Sequence, residues 1–312
     1  MVKNLWILSK DNSLGYENSR LIQECVNQAI DVKLVHPDNF DILVNRDDRK
    51  SVIYNGESIN LPDLLLCRTG SDTDYFSLSI IRQLERLGIK TANNSYAIER
   101  VKDKLYAAQI LAQNGLPTPK TMLVKFPIKP VYVEKHIGFP CVVKVITGSF
   151  GQGVYLSKDS DSFKDLMELV HSLKPPTSII LQEFISYKPG SDLRVWVVGN
   201  KVLGAMLRCS TDGNFKANIS RGGKGELFPI NKEIEFLAKE TARVLDLEIA
   251  GIDLLFDKDG YKICEANSAP GFEGFEYFCK QNIAKEVIDY CKNLNKSSHF
   301  IYKEKHLKDL NY

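Results

Sequence analysis

The sequence predicts a mixed fold, with a small parallel α/β domain first and α+β structure after it. Three observations carry this. Short apolar runs alternate with amphipathic stretches over the first hundred residues. From about Thr91 the texture changes to one helical stretch and then to strands set around glycines. The last third holds two long hairpin patterns separated by a single helix. A chain of 312 residues, 44% hydrophobic and 26% charged, is long enough for two or three compact units.

Taken in order, "NLWIL" and "VKLVH" read as short buried strands flanking the helix "ENSRLIQECVNQAI". In that helix Leu21, Ile22, Cys25, Ala29 and Ile30 fall on one face. "SVIYNGESI" sets an Asn-Gly turn between extended residues, a hairpin signal. "PDLLLCRT" is a further buried strand, and "DTDYFSLSIIRQLERLG" a helix stopped at Gly88. "SYAIERVKDKLYAAQILAQNGLPTP" reads as one helix, capped by Ser95 and ended by Gly115 with Pro117 beyond. Then come the strands "TMLV" and "FPCVVKVIT", a glycine-rich turn, "VYLSK", the helix "SFKDLMELVHSL" and the strand "SIILQEFI". The hairpins "LRVWVVGNKVLGAMLRC" and "GIDLLFDKDGYKICEAN" flank the helix "NKEIEFLAKETARVL". The expected units are 1–94, 95–185 and 186–295, with a basic tail at 296–312.

The charges nearly balance, 41 basic against 39 acidic, with no long block of one sign, so nothing electrostatic argues for a nucleic-acid partner. No run of about 18 apolar residues exists to cross a membrane. The seven cysteines form no CxxC pair, which suits a reduced, cytoplasmic protein.

Chemistry concentrates near the end. If "KDG" forms a three-residue loop with Gly260 left-handed, Asp257 pairs with Tyr261 and Asp253 lies opposite Glu265. Period-two alternation puts Asn267 on the Glu265 face. Opposed carboxylates repel unless a cation sits between them, and two carboxylates with an amide suit Mg²⁺ or Mn²⁺. The alternative is a hairpin whose charges face water. In "KVITGSFGQGVYL", Gly148, Gly151 and Gly153 sit between two strands, with Lys144 on the incoming one. Such a loop can fold over phosphates with Lys144 adding charge, or it can be a plain turn with Lys144 in solvent. Asp192 and Arg194 share a strand face, and Asn218 and Arg221 follow "DGNFK"; arginines so placed serve either a site or surface ion pairs.

Together these pieces resemble the ATP-grasp superfamily, and within it the RimK-type carboxylate–amine ligases, from about Ser95 to Glu276. The resemblance implies an ATP-grasp fold, with a pre-ATP-grasp N-terminal α/β domain, a central lid domain and a C-terminal α+β domain. "KDKLYAAQILAQNGLPTP" is similar to the family's entry segment, which implies that Lys104 is an ATP ligand. "VVKVITGSFGQGV" resembles the phosphate-covering loop, with Lys144, Gly151 and Gly153. "QEFI" looks like the adenine-binding linker, Glu183, Phe184 and Ile185, and "GSDLRVWVVG" like the segment whose Asp192 holds the ribose. Lys216 and Asn218 of "FKAN" match a stretch that reads "FRSN" in bacterial members. The lysine there keeps the charge and loses the bidentate fork. "AGIDLL…CEANSAPGFEGFE" resembles the metal-binding strands, with Asp253, Glu265 and Asn267. "MLRCSTDG" is similar to enzymes that join glutamate to N-acetylaspartate or citrate. "NSAPGFEGFE" is closer to bacterial enzymes that extend a ribosomal protein C-terminus.

The implied activity is ADP-forming ligation through an acyl phosphate, with ATP and one or two Mg²⁺ (or Mn²⁺) ions. L-glutamate is the expected amine, and an acidic metabolite or a peptide C-terminus the acceptor. Arg221, Arg194 and Lys144 are the expected catalytic cations. Arg208, and Arg68 at the end of an N-terminal strand, are candidates for substrate carboxylates. Another substrate pair, as in glutathione-synthetase-like or lysine-biosynthesis enzymes, is the alternative, with a non-catalytic nucleotide binder beyond it. The sequence leaves oligomeric state open, a homo-oligomer included.

Overall fold

The computed structural model describes residues 2–11, 14–44, 51–70, 73–146, 153–172, 178–211, 213, 215–217 and 223–294. Its first strand, β1 (Asn4–Leu8), is apolar almost throughout because both of its faces are covered. Leu5 and Ile7 pack with Leu21 and Cys25 of helix α1 (Tyr16–Asn27). Trp6 and Leu8 point to the other side, against Ile80, Ile81 and Leu84 of α2 (Tyr75–Arg86). With β2 (Asp31–Val35), β6 (Leu64–Cys67) and β7 (Lys90–Ala92), β1 makes a parallel sheet of order β2-β1-β6-β7. A small antiparallel sheet, β3 (Phe40–Ile42), β4 (Val52–Tyr54) and β5 (Glu57–Ser58), intervenes in the chain between β2 and β6. Its β4–β5 turn is the expected one, with Asn55 at φ 53° and Gly56 at φ 79°, both left-handed.

The stretch expected as a single helix is two, α3 (Ser95–Lys102) and α4 (Lys104–Gln113). Asp103 breaks it, because its carboxylate accepts the Leu105 and Tyr106 amides at 2.9 and 3.0 Å and starts a new helix. Asn94, not Ser95, caps α3, accepting the Ala97 amide at 2.8 Å; the Ser95 hydroxyl donates to Glu85 at 2.6 Å.

The central sheet is antiparallel, of order β10-β9-β11-β8, from β8 (Thr121–Leu123), β9 (Cys141–Val145), β10 (Val154–Ser157) and β11 (Ile179–Glu183). On one face Cys141, Val143, Ile179 and Leu181 bury Val133 of α5 (Pro130–His136) and Phe163 and Met167 of α6 (Ser160–Ser172). Helix α5 has no counterpart in the sequence reading. Alternation puts Val142, Lys144, Ile180 and Gln182 on the opposite face.

The third sheet has order β14-β13-β12-β15-β16: β12 (Ser191–Val198), β13 (Lys201–Cys209), β14 (Lys224–Phe228), β15 (Ile249–Asp257) and β16 (Gly260–Asn267). One face packs on α7 (Lys232–Val244), with Ala97, Val101, Ala107 and Leu111 of α3 and α4 in the same cluster. The other face is divided. Toward one end, Trp196 and Met206 are buried under Phe272 and Phe275 of the region of α8 (Glu273–Cys279), in the core shared with β1, α1 and α9 (Ile283–Asn293). Toward the other end the same face carries Asp192, Arg194, Arg208, Asp253 and Glu265. This half of the sheet holds the candidate site. The basic tail lies outside the described residues. No helix among the described residues is long and apolar enough to cross a membrane.

Candidate active site

Asp253 pairs with Glu265, and Gly251 with Asn267, across β15 and β16. The route to that register differs from the expected one. The hairpin turns through a two-residue loop, Lys258–Asp259, with Asp257 paired to Gly260. This alone would shift every later pair by one. A β-bulge between the Leu254–Ile263 and Asp253–Glu265 pairs leaves Cys264 as the extra residue and restores the carboxylate pairing. Two departures from the simple hairpin cancel at the site.

Four charged side chains on three adjacent strands interlock. Arg194, the β12 neighbour of Asp253, donates its Nε to Oδ1 of that carboxylate and its Nη2 to Oδ2, the latter at 2.8 Å. Arg208 on β13 donates Nε and Nη2 to the two oxygens of Asp192 at 2.7 and 2.8 Å, and its Nη2 also stands 3.0 Å from Asp253 Oδ2. Burial opposes the charge of Arg208, yet the Asp253 and Asp192 carboxylates hold its pKa above the ordinary arginine value. Burial, with Asp253 nearby, pushes the Asp192 carboxyl up despite Arg208. For Asp253 burial acts in the same sense and is outweighed by Arg194 and Arg208, which hold it down. The three arginine and aspartate candidates expected to face ligands thus face one another, together with Asp253.

Glu265 is different. Its carboxylate accepts no hydrogen bond from the described residues, although it stands opposite Asp253. Asn267 uses its Nδ2 on the Gly251 carbonyl at 3.3 Å, which leaves its Oδ1 as an acceptor. Two carboxylates and an amide oxygen are a hard, all-oxygen donor set and fit a divalent cation such as Mg²⁺. Among the described residues no cluster of three or more His, Cys, Asp or Glu exists, so the candidate set depends on the amide.

The central sheet and the start of α4 each supply a facing cation. Lys144 is only 8% exposed, which closes the solvent alternative; its Nζ donates to Gln182 Oε1 at 2.6 Å and lies 3.7 Å from Cys264 Sγ. Lys104, at the start of α4, is held below the usual lysine pKa by burial, with Glu265 opposing and Lys144 reinforcing the shift. Lys104, Lys144, Cys264 and Glu265 thus share one electrostatic neighbourhood. At the end of β11, Glu183 accepts from Lys262 of β16 at 2.5 Å, a bond joining the two sheets. Phe184 and Lys216 line a cleft of about 600 Å³ with Val154, Leu156, Ser191 and Phe215. The Lys216 Nζ lies 5.6 Å from the ring centroids of both Tyr155 and Phe215. Ile185 follows in the connection to β12, half-buried. Gly153 is left-handed at φ 65°, and a Cβ there would meet Val145 Cγ2 at 2.4 Å. Gly148, Gly151, Asn218 and Arg221 lie outside the described residues.

Arg68 is set apart from this group. It donates to the Pro270 carbonyl at 2.9 Å and stacks 5.8 Å from the Phe272 ring centroid, and burial lowers its pKa to about 10, against Glu17. The glutamates of "GFEGFE" are likewise absent from the carboxylate cluster: Glu276 accepts from Tyr16, Arg20 and the Ala284 amide, tying α1 to the last helices.

Sequence reasoning missed three residues. Gln182 orients Lys144 and was legible only as an inward position on β11. Asn93, fully buried, bonds the backbone of both strands at the open end of the β15–β16 pair, where β15 begins and β16 ends. Gly251 leaves room for Arg194: a Cβ there would meet Pro270 Cβ at 2.7 Å and Arg194 Cδ at 3.1 Å. Gly251→Ala is therefore expected to displace Arg194 from Asp253. It should lower kcat/KM by about tenfold, for an overpacking cost of about 1–3 kcal/mol. Steady-state kinetics beside a thermal melt check this; unchanged kinetics would show that the Arg194 position does not matter.

Comparison with known proteins bears on this arrangement. Residues 4–98 match the RimK PreATP-grasp domain and residues 101–291 the RimK-like ATP-grasp domain. A protein of Vibrio cholerae serotype O1 named probable alpha-L-glutamate ligase is 33% identical over 288 residues, 91% of this chain and 93% of its own. The ATP-grasp ligase PsnB, solved with a phosphomimetic variant of its minimal precursor, Mg and ADP, superposes with a TM-score of 0.73 at 17% identity, covering 94% of this chain and 99% of that one. A RimK domain ATP-grasp protein from Sphaerobacter thermophilus superposes with a TM-score of 0.71 at 17% identity, covering 91% and 98%.

Proposed function

Since the chain belongs to the RimK-like ATP-grasp family of carboxylate–amine ligases, we propose that it joins L-glutamate to an acceptor carboxylate, with ATP cleaved to ADP through an acyl phosphate. The observation that carries this reading is the charged half-face of the third sheet, Asp192, Arg194, Arg208, Asp253 and Glu265, turned toward Lys144. The name of the Vibrio cholerae relative supports glutamate as the amine.

Bringing a carboxylate to a triphosphate unites like charges, so fixed cations must surround them. Lys144, oriented by Gln182, and Lys104 are assigned to the phosphates. Phe184, Ile185 and the backbone of Glu183 form the adenine side, where the Glu183 carboxylate is engaged by Lys262. Asp192 and Lys216 lie toward the ribose. Arg194 and Arg208 serve substrate carboxylates or the acyl phosphate, which guanidinium matches in bidentate geometry. Arg221 and Asn218 complete this set, with Gly151 and Gly153 over the phosphates. Asp253, Glu265 and Asn267 would hold Mg²⁺ (or Mn²⁺), one ion or two, which neutralises the triphosphate when bound. In the first step an acceptor oxygen takes the γ-phosphoryl group and ADP leaves. In the second the glutamate amine adds to the acyl carbon, and phosphate departs as the amide forms. Arg68, engaged with Pro270, is assigned to holding the N-terminal domain against the segment after β16 rather than to the acceptor.

The test is mass spectrometry of products from ATP, Mg²⁺ and L-glutamate with a panel of acidic metabolites and peptides ending in acidic residues, with ADP and phosphate release measured in parallel. The expected result is an acceptor heavier by glutamyl units and one ADP per bond formed. Turnover confined to another amino acid would shift the reading to a different ligase pair. Absence of Mg-dependent ATP turnover across the panel would remove the ligase reading.

A further inference from the structure

The carboxylate best placed to receive a metal is already in use. Asp253 accepts from Arg194 at both oxygens and from Arg208 at Oδ2, so three of its roughly four lone-pair directions are taken. These three side chains are 6–13% exposed. We propose that Arg194 is a latch, closed on Asp253 until a nucleotide-borne divalent ion takes that carboxylate, and offered only then to a carboxylate of L-glutamate. This device presupposes the ligase reading above.

The two arginines are not equivalent. Arg208 has a second, bidentate partner in Asp192 and keeps it whatever happens at Asp253. Arg194 has no other carboxylate partner among the described residues, and Glu265 lies one strand further on, beyond Asp253. An ion entering beside Glu265 and Asn267 competes directly with the guanidinium for Asp253. A guanidinium displaced inside a nearly closed site is costly without a partner, and a carboxylate matches its fork. In the absence of the ion, an incoming carboxylate must instead pull Arg194 away from Asp253. Ion and substrate carboxylate therefore favour each other, and the coupling is reciprocal. Gly251 gives the side chain its room, since the Arg194 Cδ lies where a Cβ would intrude.

Calorimetric titration of L-glutamate into the full-length wild-type protein tests this in three states: alone, with Mg²⁺, and with Mg²⁺ plus a non-hydrolysable ATP analogue. Glutamate is expected to bind about tenfold or more tightly in the third state only. Asp253→Asn should bind glutamate without nucleotide as tightly as the loaded wild type, because the latch has lost its catch. Arg194→Gln should bind the nucleotide analogue with no tightening of glutamate. If the Asn variant does not fold, the wild-type series and Arg194→Gln decide the matter. Nucleotide binding with one glutamate affinity in all three states overturns the latch and leaves the ligase reading standing. Failure of the Mg²⁺–nucleotide analogue to bind strikes the ligase reading, and the latch falls with it.

Discussion

Replacing Glu265 by glutamine is expected to cut Mg-dependent ATP turnover by about three orders of magnitude while leaving the melting temperature unchanged or slightly raised. The two effects part because of where this carboxylate stands. It faces Asp253 directly across the β15–β16 pair and accepts no hydrogen bond from the described residues. Like charges at directly opposed positions destabilise a sheet, so removing one relieves the ligand-free protein. The same charge is the one left over for a cation, and loss of a pre-placed electrostatic partner of the reacting phosphates costs about 4 kcal/mol of transition-state stabilisation. Lys104 should register the change as well: Glu265 sustains its charge against burial, so its pKa should fall further in the variant. Asp253→Asn is a poorer test of catalysis, because it also strips Arg194 and Arg208 of a buried partner and threatens the fold. Coupled assay of ADP release and calorimetric melting on the Gln variant give both readings. An enzyme retaining a tenth of wild-type turnover would remove Glu265 from the metal set.

Local chemistry made much of this protein readable in advance. The Asn55–Gly56 turn needed only the two residues that tolerate left-handed backbone, and the apolar run of β1 needed only that both faces be covered. The Asp253–Glu265 pairing came out of hairpin counting, yet the count assumed the wrong loop, and the bulge at Cys264 compensated. A bulge is one unpaired residue, and nothing in "YKICEAN" distinguishes it from a regular strand. Asp103 was hidden in an otherwise helical pattern, where an aspartate reads equally as a surface residue or as a cap. The Arg194–Asp253 pair was illegible for another reason: it joins residues 59 positions apart, through the order of strands in a sheet that composition does not specify. Asp192 and Arg208 lie across the expected β12–β13 hairpin, but the register shift between Trp196 and Val197 that sets them opposite leaves no mark in the sequence. Sequence placed the charges on the right strands; only the fold shows that they are spent on one another.

Asn93→Ala is expected to destabilise the protein by about 4 kcal/mol, although Asn93 touches none of the candidate ligands. Its side chain, 0% exposed, uses every hydrogen-bonding valence it has. Oδ1 accepts the Glu248 and Ile249 amides at 2.6 and 2.9 Å, and Nδ2 donates to the Ile249 and Ser268 carbonyls at 2.8 and 2.7 Å. Truncation leaves four backbone groups without this partner in a place water does not reach, at about 1–3 kcal/mol for each that finds no substitute. Asn93→Asp separates hydrogen bonding from packing. It has nearly the same shape and still accepts, but it directs a carboxylate at two carbonyl oxygens, and should be at least as destabilising as alanine. A well-tolerated aspartate would mean that volume, not valence, is what this position supplies. The consequence reaches the site through the strands: Ile249 precedes Gly251 by two residues on β15, and Ser268 directly follows Asn267. Loosening this end of both strands lets the carboxylate pair drift. Near-native preparations of the alanine variant should therefore bind the Mg²⁺–nucleotide analogue more weakly, with amide exchange accelerated first at residues 248–251. Exchange that speeds up uniformly, with nucleotide affinity intact, would confine Asn93 to global stability.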